Sequence, residues 1–195
     1  MADKKTNPLA IQRGVYRRDW GTTLFFALGR AATGPFSYWL IQKHPLGFLG
    51  VPRPPNGTPP TIEIFGRTCP RLPFLMAAMP GVLSIKHIIW MTTYAREPFT
   101  YQFAFFGVLA DIIYESITSL VFSSASKNPL FSENKFFYPG VALYMSSVVL
   151  ELVAELQRAA FKADPKNQGK PCTSGFWGIT RHINYTANVL YGTFP

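Results

Sequence analysis

The sequence predicts an all-α integral membrane protein with about four transmembrane helices, a long Pro-rich connector and a polar C-terminal tail. Three observations predict it. Of the 195 residues, 48% are hydrophobic and only 15% charged, against roughly 25% charged in soluble domains. Aromatic residues reach 15%, with 17 Phe, and they sit inside apolar runs whose ends carry Lys and Arg, the arrangement a bilayer selects. The runs themselves are long enough to cross about 30 Å of hydrocarbon as helices. Mean hydropathy is a modest +0.10 because polar loops and tails dilute them.

The chain reads as a single membrane domain over residues 1–195. Residues 1–20 form a basic tail. The first apolar segment, 21–42, is "GTTLFFALGRAATGPFSYWLIQ", and its Arg30, Gly34 and Pro35 predict a kinked or shallow helix. A Pro/Gly-rich connector from Lys43 to Pro73 follows, expected to lie as an extended loop, since proline cannot continue a helix. The second and third helices, 72–95 and 99–122, are separated by a turn at 96–98 and so form an antiparallel hairpin. A polar loop leads to the fourth helix, 136–157, and residues 158–195 form the C-terminal module. No internal repeat is visible.

Net charge is +9. Its placement argues against nucleic-acid binding, because cations and aromatics do not interleave on polar segments. In the four-helix arrangement, the side with both tails holds eleven Lys and Arg against six on the other. That bias puts both termini on the cytosolic or matrix side. The N-terminal stretch lacks the apolar core of a secretory signal. Cys69 and Cys172, the two cysteines, provide neither a disulfide framework nor a metal site.

Charges inside the spans need partners. Asp111 and Glu115 share one helix face, as do Glu151 and Glu155. Carboxylates at membrane depth face protein or water, so Lys86 is expected to pair with Asp111 or Glu115 across the hairpin, with Glu151 part of the same intramembrane charge set. A proton path through Asp111 and Glu115 is the functional counterpart of that structural reading.

The last stretch, "ELVAELQRAAFKADPKNQGKPCTSGFWGITRHINYTANVLYG", resembles the C-terminal module of steroid 5α-reductase-like membrane proteins. That superfamily includes sterol reductases and, more distantly, isoprenylcysteine carboxyl methyltransferases. Glu151, Gln157, Phe161 to Pro165, Asn167, Gly169, Lys170, Gly175, Trp177, Arg181, His182, Asn184 and Tyr185 carry the resemblance, in order and spacing, over the last quarter of the chain. It implies a polar pocket for a nucleotide cofactor, NADPH in the reductases, lined by Asn167, Lys170, Arg181, His182, Asn184 and Tyr185. Their chemistry suits such a pocket, since Arg181 can fork onto phosphate and the others offer hydrogen bonds.

The departures from the family pattern lead to a second expectation. Ile183 replaces the proline of Arg-His-Pro-Asn-Tyr, Ala187 and Asn188 replace a glycine and an acidic residue, and Gly178 follows Trp177 where a cation is usual. The chain also stops ten residues past Tyr185. These features predict a vestigial site with no retained cofactor and no catalysis. The whole sequence also resembles fungal accessory membrane subunits of respiratory complex I. That resemblance implies a non-catalytic role in assembly and lipid packing in the mitochondrial inner membrane, among membrane subunits and anionic phospholipids. The alternative is an active membrane reductase or methyltransferase acting on a lipid.

Overall fold

A computed structural model describes residues 9, 11, 17–43, 45–50, 61–64, 66–95, 97–125 and 136–193. The protein is an all-α integral membrane protein. Its long helices are α1 (Trp20–Lys43), α2 (Arg71–Thr93), α3 (Tyr101–Ala125) and α4 (Phe137–Ala163), and a shorter α5 (Ile183–Thr193) follows. Among the described residues three helices are long and apolar enough to cross a membrane: Pro73–Thr93 of α2, Tyr101–Val121 of α3, and α4. The chain divides into two compact units, residues 1–128 and 129–195.

In the first unit α1 is the spine, packed along both α2 and α3, which touch each other only slightly. Asp19 starts α1 by accepting hydrogen bonds from the backbone N–H of Gly21 (2.9 Å) and Thr22 (3.4 Å), an N-cap that satisfies donors the helix itself cannot. The helix then runs unbroken through Pro35, so the kink that the proline predicts does not interrupt it. Its middle approaches α2 closely: a Cβ on Gly34 would lie 3.1 Å from the Cα of Gly81. Small residues at such a crossing are how membrane helices bring their backbones together. Arg18 donates to the carbonyls of Thr93 (3.0 Å) and Ala95 (3.3 Å) at the C-terminal end of α2, where orphan carbonyls and the helix dipole favour a cation.

Sidedness identifies the solvent. The inward face of α1 is polar, with Thr22, Thr23, Arg30, Thr33 and Ser37 buried, whereas Leu24, Phe25, Leu28, Phe36 and Trp39 are exposed. In α3, Glu115 and Ser119 are buried while Phe105, Phe106, Leu109, Ile113, Ile117 and Val121 are exposed. A soluble bundle has the reverse pattern. Polar groups inside and apolar groups outside is the arrangement hydrocarbon requires. The expectation of about four spans meets three helices of clear spanning composition. α1 equals them in length but is less apolar, because its inward face carries an arginine and hydroxyls.

The Pro-rich connector contains regular structure. After a 3-10 turn at Pro45–Leu49, β1 (Thr61–Ile64) pairs antiparallel with β2 (Arg67–Pro70), in register Thr61 opposite Pro70 and Ile64 opposite Arg67. Gly66, at φ +72°, supplies the left-handed turn residue between them. A hairpin of four-residue strands satisfies backbone groups locally, which a purely extended loop would leave to water.

In the second unit α5 packs along α4 through Ile183, Ala187 and Tyr191, all buried and spaced four apart. The Tyr191 ring meets Tyr144 edge-on at 5.9 Å.

Candidate functional site

Two groups of polar residues are candidates, one in each unit.

In the first unit Arg30 of α1 is 1% exposed. Its Nη1 forms an ion pair with Asp111 Oδ2 of α3, and its Nη2 lies 2.5 Å from His87 Nδ1 of α2. A guanidinium only donates, so Nδ1 accepts and the His87 proton resides on Nε2. Arg30 Nε is buried and has no partner among the described residues. Lys86 and Glu115 are also buried and act electrostatically on the same groups. One guanidinium thus ties three helices together at membrane depth. Sequence reasoning placed Lys86, Asp111 and Glu115 in an interior charge set, and the structure records Arg30 as the ion-pair partner of Asp111. Arg30 and His87 were the residues not singled out. The signal was present, since any ionisable residue inside an apolar run is a candidate interior partner.

In the second unit the C-terminal module is braced by its own motif residues. Gln157 Oε1 accepts from the Phe176 N–H at 2.9 Å, and Trp177 Nε1 donates to the Ala154 carbonyl at 2.7 Å. Both contacts hold the 3-10 turn Gly175–Gly178 against the side of α4. Gly175 has φ +59°, and a Cβ there would collide with the Gln157 side chain, so only glycine allows the close approach. Arg158 stacks over the Trp177 ring at 5.3 Å and pairs with Glu155 at 3.5 Å. Asn167 Nδ2 donates to the Phe161 carbonyl at 3.1 Å, closing the end of α4, and Asp164 caps the turn that follows by accepting from Lys166 N–H. Glu151 is half-buried on α4.

The Arg-His-x-Asn-Tyr cluster forms the start of α5. Arg181, His182 and Tyr185 are exposed, as is Lys170 in the preceding segment, and the His182 and Tyr185 rings lie 5.5 Å apart. Among the described residues Arg181 has no ion-pair partner. Asn184 is half-buried, and its Oδ1 is fully buried without a partner among the described residues, an orphan acceptor that a donor group would satisfy. Asn188 donates to the Asn184 carbonyl at 2.8 Å and accepts from the Tyr191 hydroxyl.

This geometry sorts the departures from the reductase pattern. Ile183 and Ala187 are 5% and 0% exposed and serve the contact with α4. Asn188 bonds within its own helix. Ile183 and Ala187 thus take nothing from the polar face that Arg181, His182 and Tyr185 present, while Asn188 puts an amide where the family pattern has a carboxylate. Among the described residues no group of His, Cys, Asp and Glu could hold a metal.

Residues 86–192 match the family described as protein of unknown function, DUF1295. Over 187 residues the chain is 30% identical to the probable O-methyltransferase ustE of Ustilaginoidea virens, covering 87% of this chain and 64% of that relative. The chain therefore spans about two thirds of the length of the curated relative it matches. No solved structure is significantly similar.

These findings overturn the expectation of a non-catalytic accessory subunit of respiratory complex I. Nothing in them points to that complex, and the relative is named as an enzyme. The expected pseudoenzyme rested on substituted letters and on where the sequence stops. Of the substituted residues, Ile183 and Ala187 lie on the packing side of α5.

Proposed function

The chain belongs to the DUF1295 family, and from that premise we propose that it is a membrane-embedded methyltransferase placing a methyl group on an oxygen of a lipophilic acceptor. The carrying observation is the 30% identity to a probable O-methyltransferase, a match long enough to draw on both units of the fold. The membrane setting supports a lipophilic acceptor, which would reach the protein through the bilayer.

The methyl donor implied is a sulfonium such as S-adenosylmethionine, which supplies an electrophilic methyl carbon and departs as a neutral thioether. The C-terminal module fits such a donor. The Asn184 Oδ1 orphan accepts from an amine or ribose hydroxyl. Arg181 can pair bidentately with the carboxylate of a methionyl group. The His182 and Tyr185 rings offer faces to a cation or a base. Asn167, committed to the Phe161 carbonyl, shapes the module instead of reaching for ligand. Lys162, Lys166 and Lys170 place positive charge beside the module, which suits an anionic membrane surface. The cation bias puts this segment and residues 1–20 on one side of the membrane. The mitochondrial inner membrane was tied to the respiratory reading and is not needed here.

The test is methyl incorporation. Membranes from cells producing the chain, given S-adenosylmethionine labelled in the methyl group, are expected to carry label into the organic extract, and Arg181→Ala membranes with equal protein are not. Equal label in the two, or label no higher than in cells without the chain, would overturn the reading.

A further inference from the structure

The segment that joins α4 to α5 forms a fixed surface at one end of the second unit. α4 has 27 residues, about 40 Å at 1.5 Å per residue, the thickness of a bilayer with its headgroups included. Its last turn, with Lys162, therefore stands at headgroup level. α5 returns alongside it. The turn before α5 is pinned at Ala154 and Gln157, while Tyr191 near its far end meets Tyr144. The two helices are antiparallel, so they enter the membrane from one side and residues 164–182 lie across their common end. Hydrogen bonds hold the first part of that segment as a compact cap on α4. Asn167 donates from its side chain to the Phe161 carbonyl (3.1 Å) and from its backbone to the Asp164 carbonyl (3.0 Å). The N–H groups of Gln168 and Lys170 donate to the carbonyls of Pro165 (3.2 Å) and Asn167 (3.0 Å). Gly169, at φ +77°, supplies the left-handed residue of the last turn.

Lys162, Lys166 and Lys170 stand on this cap, and all three are exposed. Negative groups beside them are few. Asp164 accepts the Lys166 N–H, Glu155 pairs with Arg158, and the sequence from Pro165 to Pro195 contains no Asp or Glu. Apolar groups accompany the cations. Ile179 is 74% exposed, and the half-buried Trp177 is fixed through its indole N–H. Lysines at headgroup level beside an exposed aliphatic side chain and a tryptophan are the composition of a membrane-surface segment. We propose that the 162–170 cap binds the phosphate groups of anionic phospholipids through Lys162, Lys166 and Lys170. Net charge selects the headgroup. Phosphatidylcholine presents a cation to the lysines along with its phosphate, whereas phosphatidylglycerol presents the anion alone. The hydrogen-bonded cap helps, because its backbone is already ordered before lipid arrives. Arg181, assigned to the methyl donor, takes no part, so this surface and the methyl-transfer reading stand or fall separately.

The experiment uses the full chain with Cys69→Ser, so that a bimane fluorophore is carried by Cys172 alone, two residues past Lys170. The protein is placed in phosphatidylcholine nanodiscs doped with a lipid bearing a nitroxide quencher near the top of its acyl chain. The headgroup of that lipid is either glycerol or choline. The phosphatidylglycerol quencher is expected to reach half-quenching at about a fivefold lower mole fraction or less, the contribution of one lysine at an anionic surface. Salt at about 1 M should shrink the preference, because it screens exposed charges beyond about 3 Å. The combined change Lys162→Gln/Lys166→Gln/Lys170→Gln should abolish the preference and leave quenching by phosphatidylcholine in place, which also shows that the variant is folded and inserted. Equal quenching by the two lipids in the chain with all three lysines would overturn the proposal, as would a preference that survives the triple change. A preference erased by soluble glycerol phosphate would overturn it too, since the cap would then be a site for a free phosphate and not for lipid.

Discussion

Replacing Asp111 with Asn is expected to be among the most damaging single substitutions in the first unit. The change removes one charge and leaves the Arg30 guanidinium, 1% exposed, without its counter-ion. Two unit charges about 4 Å apart interact by about 4 kcal/mol at the effective dielectric that describes proteins best. Breaking a buried pair from one side costs about 3–5 kcal/mol. Arg30→Met should cost less than Asp111→Asn, because the carboxylate left behind can take up a proton and become neutral, which a guanidinium cannot do, although the bond to His87 is lost as well. The double change Arg30→Met/Asp111→Asn leaves no orphan charge, and should cost clearly less than the two single changes added together. Reversible unfolding in mixed detergent micelles, followed by tryptophan fluorescence, measures the cycle. A coupling of about 2 kcal/mol or more is expected. Additive single and double effects would refute the reasoning, since they would mean the charges do not stabilise one another.

Other substitutions test the packing and the module. Gly34→Val drives a side chain into the Gly81 backbone and should cost about 1–3 kcal/mol, whereas Gly81→Ala, whose Cβ meets nothing within 4 Å, should be near neutral by the same unfolding assay. Gln157→Ala removes the acceptor of the Phe176 N–H and should cost about 1–2 kcal/mol, seen as faster proteolysis between residues 164 and 182 with α4 itself protected. Arg181→Ala, at an exposed position, should move stability by no more than about 0.5 kcal/mol while weakening S-adenosylmethionine binding about tenfold or more, measured by equilibrium dialysis. Three spanning helices separate Cys69 from Cys172, so an impermeant maleimide added to sealed vesicles should label one and spare the other.

The membrane class was legible because it is written in composition and run length, and both survive without knowledge of packing. The role of α1 was not. Arg30, Gly34 and Pro35 look like interruptions in an apolar segment, and only the folded unit shows them as the buried charge, the close crossing with α2 and a proline the helix absorbs. The partner of Asp111 was hidden for a related reason. Depth along a hairpin can be counted from sequence, which favoured Lys86, but the azimuth of a third helix cannot, and α1 brings Arg30 in from that direction. In the tail the motif was visible while the division of labour within it was not. Gln157, Gly175 and Trp177 brace the turn, Asn167 closes α4, and Ile183 and Ala187 pack. Of these positions the reading of a degenerate site took only Asn167 as a pocket residue, and it counted the changes at Ile183 and Ala187 as losses of function. Secondary structure at 61–70 and in α5 went unread because four-residue strands among prolines and a helix of 11 residues give little periodicity to detect.

One measurement bears most directly on the central claim. The purified full chain, reconstituted with a lipid extract, receives S-adenosylmethionine in one reaction and NADPH in another, and the mass of any new product is read. The account predicts a product heavier by one CH2 group that forms only with S-adenosylmethionine and disappears with Arg181→Ala. A product heavier by two hydrogens that forms only with NADPH would contradict it and make the protein a reductase.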